Sequence, residues 1–175
     1  MKRFWVGLAL LSAAASGHCA GDAPVLTVTR SVEIAAPAGE VWERVKDFDG
    51  LNKWHPAVAK AEIVEGGNNA PGAVRLLTLG DGGTIREKLL AYDAKGRSMK
   101  YNILEGVLPV SSYESTIKVE EASKQASKVT WAGSFKRKDT GPAPAKDADD
   151  ATATSTIEGV YQGGLDNLKK ISESK

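Results

Sequence analysis

Cysteine is nearly absent: Cys19 is the single one in 175 residues, which excludes an internal disulfide framework and a cysteine-rich zinc site. Histidine is almost as scarce, with only His18 and His55, and neither sits in an HExxH or paired-carboxylate pattern. No metal and no other cofactor is therefore expected. An excess of one charge is missing as well. With 23 Lys plus Arg against 22 Asp plus Glu the formal charge is +1, so there is no electrostatic footprint for nucleic acid or an anionic membrane. No Ser-His-Asp pattern or nucleophile elbow is present, and the glycine cluster at 80–83 precedes a strand pattern rather than a helix, unlike a phosphate-binding loop.

What is present begins with Lys2 and Arg3, then an apolar run through Phe4, Trp5, Val6, Leu8, Leu10 and Leu11, then small residues. This is the tripartite form of a secretory signal over residues 1–21, and the run is too short to span a bilayer. The expected product is exported, periplasmic or secreted, with no stable membrane insertion after processing. Cleavage after Ala15, Ala20 or Gly21 each satisfies part of the small-residue rule; a lipoprotein reading would want a small residue before Cys19 and finds His18. Removing the segment takes two positive charges and no acidic ones. The remainder, 25–175, has the size of one domain.

The most informative stretch, 41–56, reads VWERVKDFDGLNKWHP. Val41, Trp42, Val45 and Phe48 fall at helical spacing on one face, with Glu40, Glu43, Arg44 and Lys46 on the other, Pro37 in the first turn and Gly50 at the end. Before it, 25–34 alternates as a half-buried strand. After it come strand patterns at 58–64, 73–79, 84–92, 98–104, 113–120 and 128–136, separated mostly by Gly, Asn and Asp turns, which implies an antiparallel sheet of seven strands. Residues 139–156, rich in Ala, Asp, Pro and Thr, read as a flexible loop. Ile157, Val160, Tyr161, Gly164, Leu165, Leu168 and Ile171 then form the stripe of a long helix, with Ser155 and Glu158 as a capping box. Gly163 and Gly164 within that helix each cost about 1 kcal/mol relative to alanine, which calls for close approach to the sheet or for room beneath the helix.

This order resembles the START-like, Bet v 1-like (SRPBCC) superfamily, in its polyketide cyclase/dehydrase-type branch. The resemblance is carried by APAGEVWERVKDFDGLNKWHPAV, PGAVRLLTL, GTIREKLLAYD, Tyr101, Pro109, Tyr113, VTWAGSF and GVYQGGLDNLKK. It implies an α+β helix-grip fold: a seven-stranded curved antiparallel sheet wrapped around the long C-terminal helix, with short helices after the first strand. It also implies a ligand cavity between sheet and helix. The mouth would be shaped by Trp54-His55-Pro56, the 80–83 loop, the 107–111 loop with Leu108 and Pro109, and the first half of the last helix. The two loops read either as gates or as ordinary hairpin turns.

His55, the one histidine that survives processing, is either a proton-transfer group or a structural cap on the turn. Glu87 shares strand parity with Ile85 and Leu89. It is either a carboxylate beside the cavity, with its pKa raised by desolvation, or one half of a cross-strand ion pair with Arg75 or Lys100 on an exposed face. Tyr101, Tyr113, Trp131, Phe135 and Tyr161 have apolar parity and serve core packing or ligand contact. Three functions follow as expectations. One is an exported carrier or sensor for a small hydrophobic or amphipathic ligand. The second is a cyclase or dehydratase using His55, Glu87 and the tyrosines. The third is an accessory protein docking on a periplasmic oxidoreductase, such as a methanol-oxidation system.

Overall fold

The computed structural model describes residues 23–174; the expected signal segment lies outside them. The order is β1 (Leu26–Ile34), α1 (Ala38–Val45), a 3₁₀ turn (Phe48–Lys53), β2 (Val58–Glu65), β3 (Val74–Leu79), β4 (Thr84–Asp93), β5 (Ser98–Gly106), β6 (Val110–Ser123), β7 (Ala126–Arg137) and α2 (Asp150–Glu173). All seven strands form one antiparallel sheet in the order β1-β7-β6-β5-β4-β3-β2. Five successive hairpins lay down β2 to β7, and β1 closes the far edge against β7. The expected helix-grip architecture is present.

Side-chain alternation decides which face is covered. Ile85, Glu87 and Leu89 of β4, Tyr113, Ser115, Ile117 and Val119 of β6, and Val129, Trp131 and Phe135 of β7 all point inward and are buried. They meet the stripe of α2 formed by Ala153, Ile157, Tyr161, Gly164, Leu165 and Leu168. At Gly164 the helix comes so close that an added Cβ would lie 2.6 Å from His55 Cδ2 and 2.9 Å from Trp131 Cζ3. Close approach therefore explains this glycine, whereas Gly163 has open space beside it.

Two boundaries differ from expectation. The helix expected from Pro37 in its first turn to Gly50 at its end starts there, at Ala38, but stops at Val45, and Phe48 opens a separate 3₁₀ turn. Tertiary hydrogen bonds make that break: the backbone N–H of Phe48 donates to Asn69 Oδ1 (2.8 Å) and that of Asp49 to Asn68 Oδ1 (3.2 Å), so the β2–β3 turn grips the chain here. At the other end, α2 begins at Asp150, with Asp149 as its cap accepting from Thr152 N–H (2.8 Å). Ser155 and Glu158 are not a capping box; both lie inside the helix, where Ser155 Oγ donates to Thr152 O and Glu158 pairs with Arg30. The flexible loop expected to reach 156 is thus shorter, and it is tied down. Arg137, buried at the end of β7, donates to the carbonyls of Asp139 and Gly141 and to Asp150 Oδ1, each at 2.7 Å.

Candidate functional site

The 3₁₀ turn ends in Trp54, whose N–H and that of His55 both reach Leu51 O, and this winds the chain tightly enough to turn both rings inward. Trp54 and His55 are buried while Pro56 is exposed. The His55 ring is held at both nitrogens. Nδ1 accepts from Ala57 N–H (3.2 Å), which leaves Nε2 to carry the proton and donate to Val160 O of α2 (2.9 Å). Burial lowers the His55 pKa below its ordinary value, outweighing the bond to Val160. The imidazole is neutral, with its tautomer fixed by the network and no lone pair free for a substrate.

Beneath it lies a cluster of aromatic hydroxyls. The Trp131 ring stacks on Tyr161 (4.6 Å between centroids, 11° between planes), and its Nε1–H is shared between Tyr101 Oη and Ser115 Oγ, both at 2.9 Å. Donor counting sets the remaining directions. Ser115 spends its one proton on Ala132 O (3.0 Å), so Tyr161 donates to Ser115 (2.9 Å) and Tyr113 donates to Tyr161 (2.7 Å). The Tyr101 hydroxyl accepts from Trp131 and also lies within hydrogen-bonding reach of Ser115. Burial raises the pKa of all three phenols, Tyr161 to about 12, so each stays protonated. Gly133 makes this packing possible, since any side chain there would overlap the Tyr161 hydroxyl.

On the neighbouring strands Arg75 and Glu87 form an ion pair at 2.6 Å, with side chains only 3% and 6% exposed. Arg75 Nε also reaches Glu87 Oε2 (2.7 Å), and Nη1 donates to Phe48 O. Its guanidinium lies over the rings of Phe48 (4.2 Å) and Tyr101 (5.0 Å). Glu87 thus takes the cavity face and the Arg75 pairing together; the expectation that such a pair would sit on an exposed face is corrected. Burial raises its pKa from the ordinary carboxylate value while Arg75 pulls it back. Both guanidinium contacts fall on Oε2, which leaves Oε1 for the cavity.

That cavity, of about 70 Å³, lies between the sheet and Val160 of α2 and is walled by Leu51, Val58, Leu77, Leu79, Ile85, Ile103 and Leu108 together with His55, Glu87, Tyr101, Tyr113 and Trp131. Six predicted residues are therefore brought together: His55, Glu87, Tyr101, Leu108, Tyr113 and Trp131. The others are not at its wall. Trp54 packs behind Trp131 (5.5 Å), Phe135 behind Tyr113 (6.2 Å), and Tyr161 behind Trp131. Pro56 is turned to solvent, and Pro109 borders an outer groove beside Lys138. Sequence reasoning missed Arg75 and Ser115 as inward-facing polar groups. Their signal was parity, with Ala73 and Leu77 for the one and with Tyr113 and Ile117 for the other. Among the described residues no group of three or more His, Cys, Asp or Glu side chains could hold a metal.

Comparison with known proteins agrees with this architecture. The XoxI protein of Bacillus cereus is 31% identical, with a TM-score of 0.74 over 83% of this chain and 94% of its own. MLP-like protein 423 of Arabidopsis thaliana is 30% identical over 116 residues, 61% of this chain and 73% of its own. The Zhui aromatase/cyclase from Streptomyces sp. R1128, at 21% identity, has a TM-score of 0.68 over 86% of this chain and 94% of its own, and shows the fold alone. Residues 25–173 match the family described as polyketide cyclase / dehydrase and lipid transport, and the chain belongs to that family, within the SRPBCC superfamily.

Proposed function

We propose that this protein is an exported, non-catalytic binding protein that holds a small hydrophobic or amphipathic molecule bearing a hydroxyl in the cavity between the sheet and α2. The observation that carries this reading is the polarity of the cavity wall. It is apolar except for Glu87 Oε1, which Arg75 leaves unengaged, and the Tyr101 hydroxyl, with the other polar groups committed to one another. A ligand hydroxyl can donate to the first and sit beside the second, and satisfying an unpaired buried acceptor is worth about 1–3 kcal/mol. The same geometry argues against acid/base chemistry. His55 has both nitrogens engaged, Glu87 is held by Arg75, and Tyr113 and Tyr161 have committed their protons. Export rests on the segment at 1–21.

At about 70 Å³ the cavity is well below the several hundred Å³ of drug-sized sites, so anything larger than a few waters must displace a wall. The test is native mass spectrometry and organic extraction of the protein purified from its native compartment. A small molecule bound near one to one, and lost from Glu87→Gln combined with Tyr101→Phe, is the expected result. A protein that emerges empty and binds no small phenol or alcohol would end this reading, and a co-purifying protein would point to docking instead.

A further inference from the structure

We infer that the cavity is reached through the sheet, by a window between β5 and β6, and not through the loop mouth beside α2. The inference rests on the binding role proposed above. β5 and β6 pair only from Ser98↔Lys118 to Asn102↔Glu114, although β5 continues to Gly106 and β6 begins at Val110. Beyond that last pair each strand follows its other neighbour. Val110 and Ser111 stay in register with β7, and Glu105 and Gly106 with β4. A bulge accompanies each departure. On β5, Leu104 is the extra residue between the pairs Arg86↔Glu105 and Glu87↔Ile103. On β6, the register slips between Ser111 and Glu114, where Ser112 adopts φ +49°. Bulges bend strands and end pairing. Two of them facing each other open a hole in the sheet, roofed by the short 107–109 connection.

The outer face of this hole is a groove of about 730 Å³, ten times the inner cavity, and the two share Ile103, Leu108 and Tyr113 as walls. These three side chains border both. No β5–β6 register pair lies beyond Asn102↔Glu114, so Ile103 and Leu108 can swing aside by rotamer changes. The loop mouth is fastened instead. Gly80 N–H donates to Ala57 O (3.1 Å), His55 to Val160 O (2.9 Å) and Asn167 to Trp54 O (2.9 Å), which ties the Trp54 turn to β3 and to α2 at both ends. Opening there breaks three bonds. The rim of the window carries the exposed side chains of Leu104 (47%) and Val107 (53%), the apolar surface that a mostly apolar ligand would cross first.

The experiment is stopped-flow binding of 2-naphthol, an apolar molecule with one hydroxyl, read from naphthol emission excited beyond the tryptophan band. It compares wild type with Leu104→Trp and Val107→Trp, which obstruct the window at exposed positions, and with Pro56→Trp, which obstructs the mouth at an exposed position outside the cavity wall. Because a blocked route slows arrival and departure together, the window variants should lower both rate constants by about tenfold while leaving Kd within about twofold. Pro56→Trp should leave both rates at the wild-type value. Unchanged rates in the two window variants, or slowing in Pro56→Trp alone, would overturn the route while leaving the binding role intact. Absence of saturable 2-naphthol binding to wild type would remove the binding role and the route with it.

Discussion

Replacing Arg75 by methionine isolates the most exposed risk in this core. Glu87 would keep a carboxylate 5% exposed and lose its ionic partner, and Phe48 O would lose its donor. Removing one member of a buried pair typically costs about 3–5 kcal/mol. A bound on the carboxylate part follows from titration. The folded protein can always escape the desolvation cost by protonating Glu87, and from an ordinary value of 4.5 that costs about 3.4 kcal/mol at pH 7 and about 0.7 kcal/mol at pH 5. The sign is that of a raised folded pKa. The folded state binds the extra proton, so stability is retained below the unfolded value and lost as pH rises above it. Arg75→Met should therefore be destabilised by up to about 4 kcal/mol at pH 7, including about 1 kcal/mol for the bond to Phe48 O, and recover up to about 2.7 kcal/mol of it at pH 5, less the part that wild type already loses through its own raised Glu87 pKa. Urea titration of tryptophan fluorescence at the two pH values, against wild type so that His55 cancels, measures this. Adding Glu87→Leu should remove the pH-dependent part. A single variant whose loss is the same at both pH values would refute the reasoning, because Glu87 would then not be a buried, paired carboxylate.

Two other perturbations follow from the same wall. His55 has its pKa lowered by burial, so as pH falls below about 6.5 the unfolded chain takes up a proton that the native state refuses, and stability falls toward acid; His55→Asn should flatten that limb of the urea midpoint against pH. The adjacent helix glycines should respond with opposite signs. Gly163→Ala, with nothing within 4 Å of the new Cβ, should gain about 1 kcal/mol of helix propensity. Gly164→Ala, whose Cβ would meet His55 at 2.6 Å and Trp131 at 2.9 Å, should lose about 1–3 kcal/mol despite the same gain; thermal unfolding followed by circular dichroism distinguishes them, and equal shifts would contradict the close approach.

The strands were legible because their signal is local: alternation at 26–34 and 128–136, closed by Gly, Asn and Asp turns, needs no knowledge of the partner strand. The stripe Ile157-Tyr161-Leu165-Leu168 was legible for the same reason. The start of α2 was not, since between Asp150 and Thr156 only Ala153 is buried and one alanine makes no stripe. The cap Asp149 was hidden in an acidic, proline-containing segment that reads as a loop. The 3₁₀ turn was invisible for a different cause: it is set by Asn68 and Asn69, some twenty residues downstream. Within the site, parity placed Glu87 on the inner face. How deeply Arg75 follows it depends on the rings of Phe48 and Tyr101, and no single-strand pattern contains them. The bulges at Leu104 and Ser112 are likewise register events between strands, so the window they frame had no trace in either strand alone.

The walls of the cavity divide by stiffness, and that division sets how it can grow. The side toward α2 is a continuous network in which Tyr113, Tyr161, Ser115, Trp131 and Tyr101 each depend on the next, and Gly133 and Gly164 admit no slack behind it. Moving any member leaves a buried donor or acceptor unpaired, at about 1–3 kcal/mol for each. The floor is pinned by Arg75 between Glu87 and Phe48. The remaining side is Leu79, Ile103 and Leu108, half-buried apolar side chains that have no hydrogen bonds to lose. Any ligand too large for about 70 Å³ must therefore press outward against these residues, toward the outer groove that already offers ten times the volume. Ligand size is then limited by how far β5 and the 107–109 connection yield, while ligand polarity is read by Glu87 and Tyr101, which do not move.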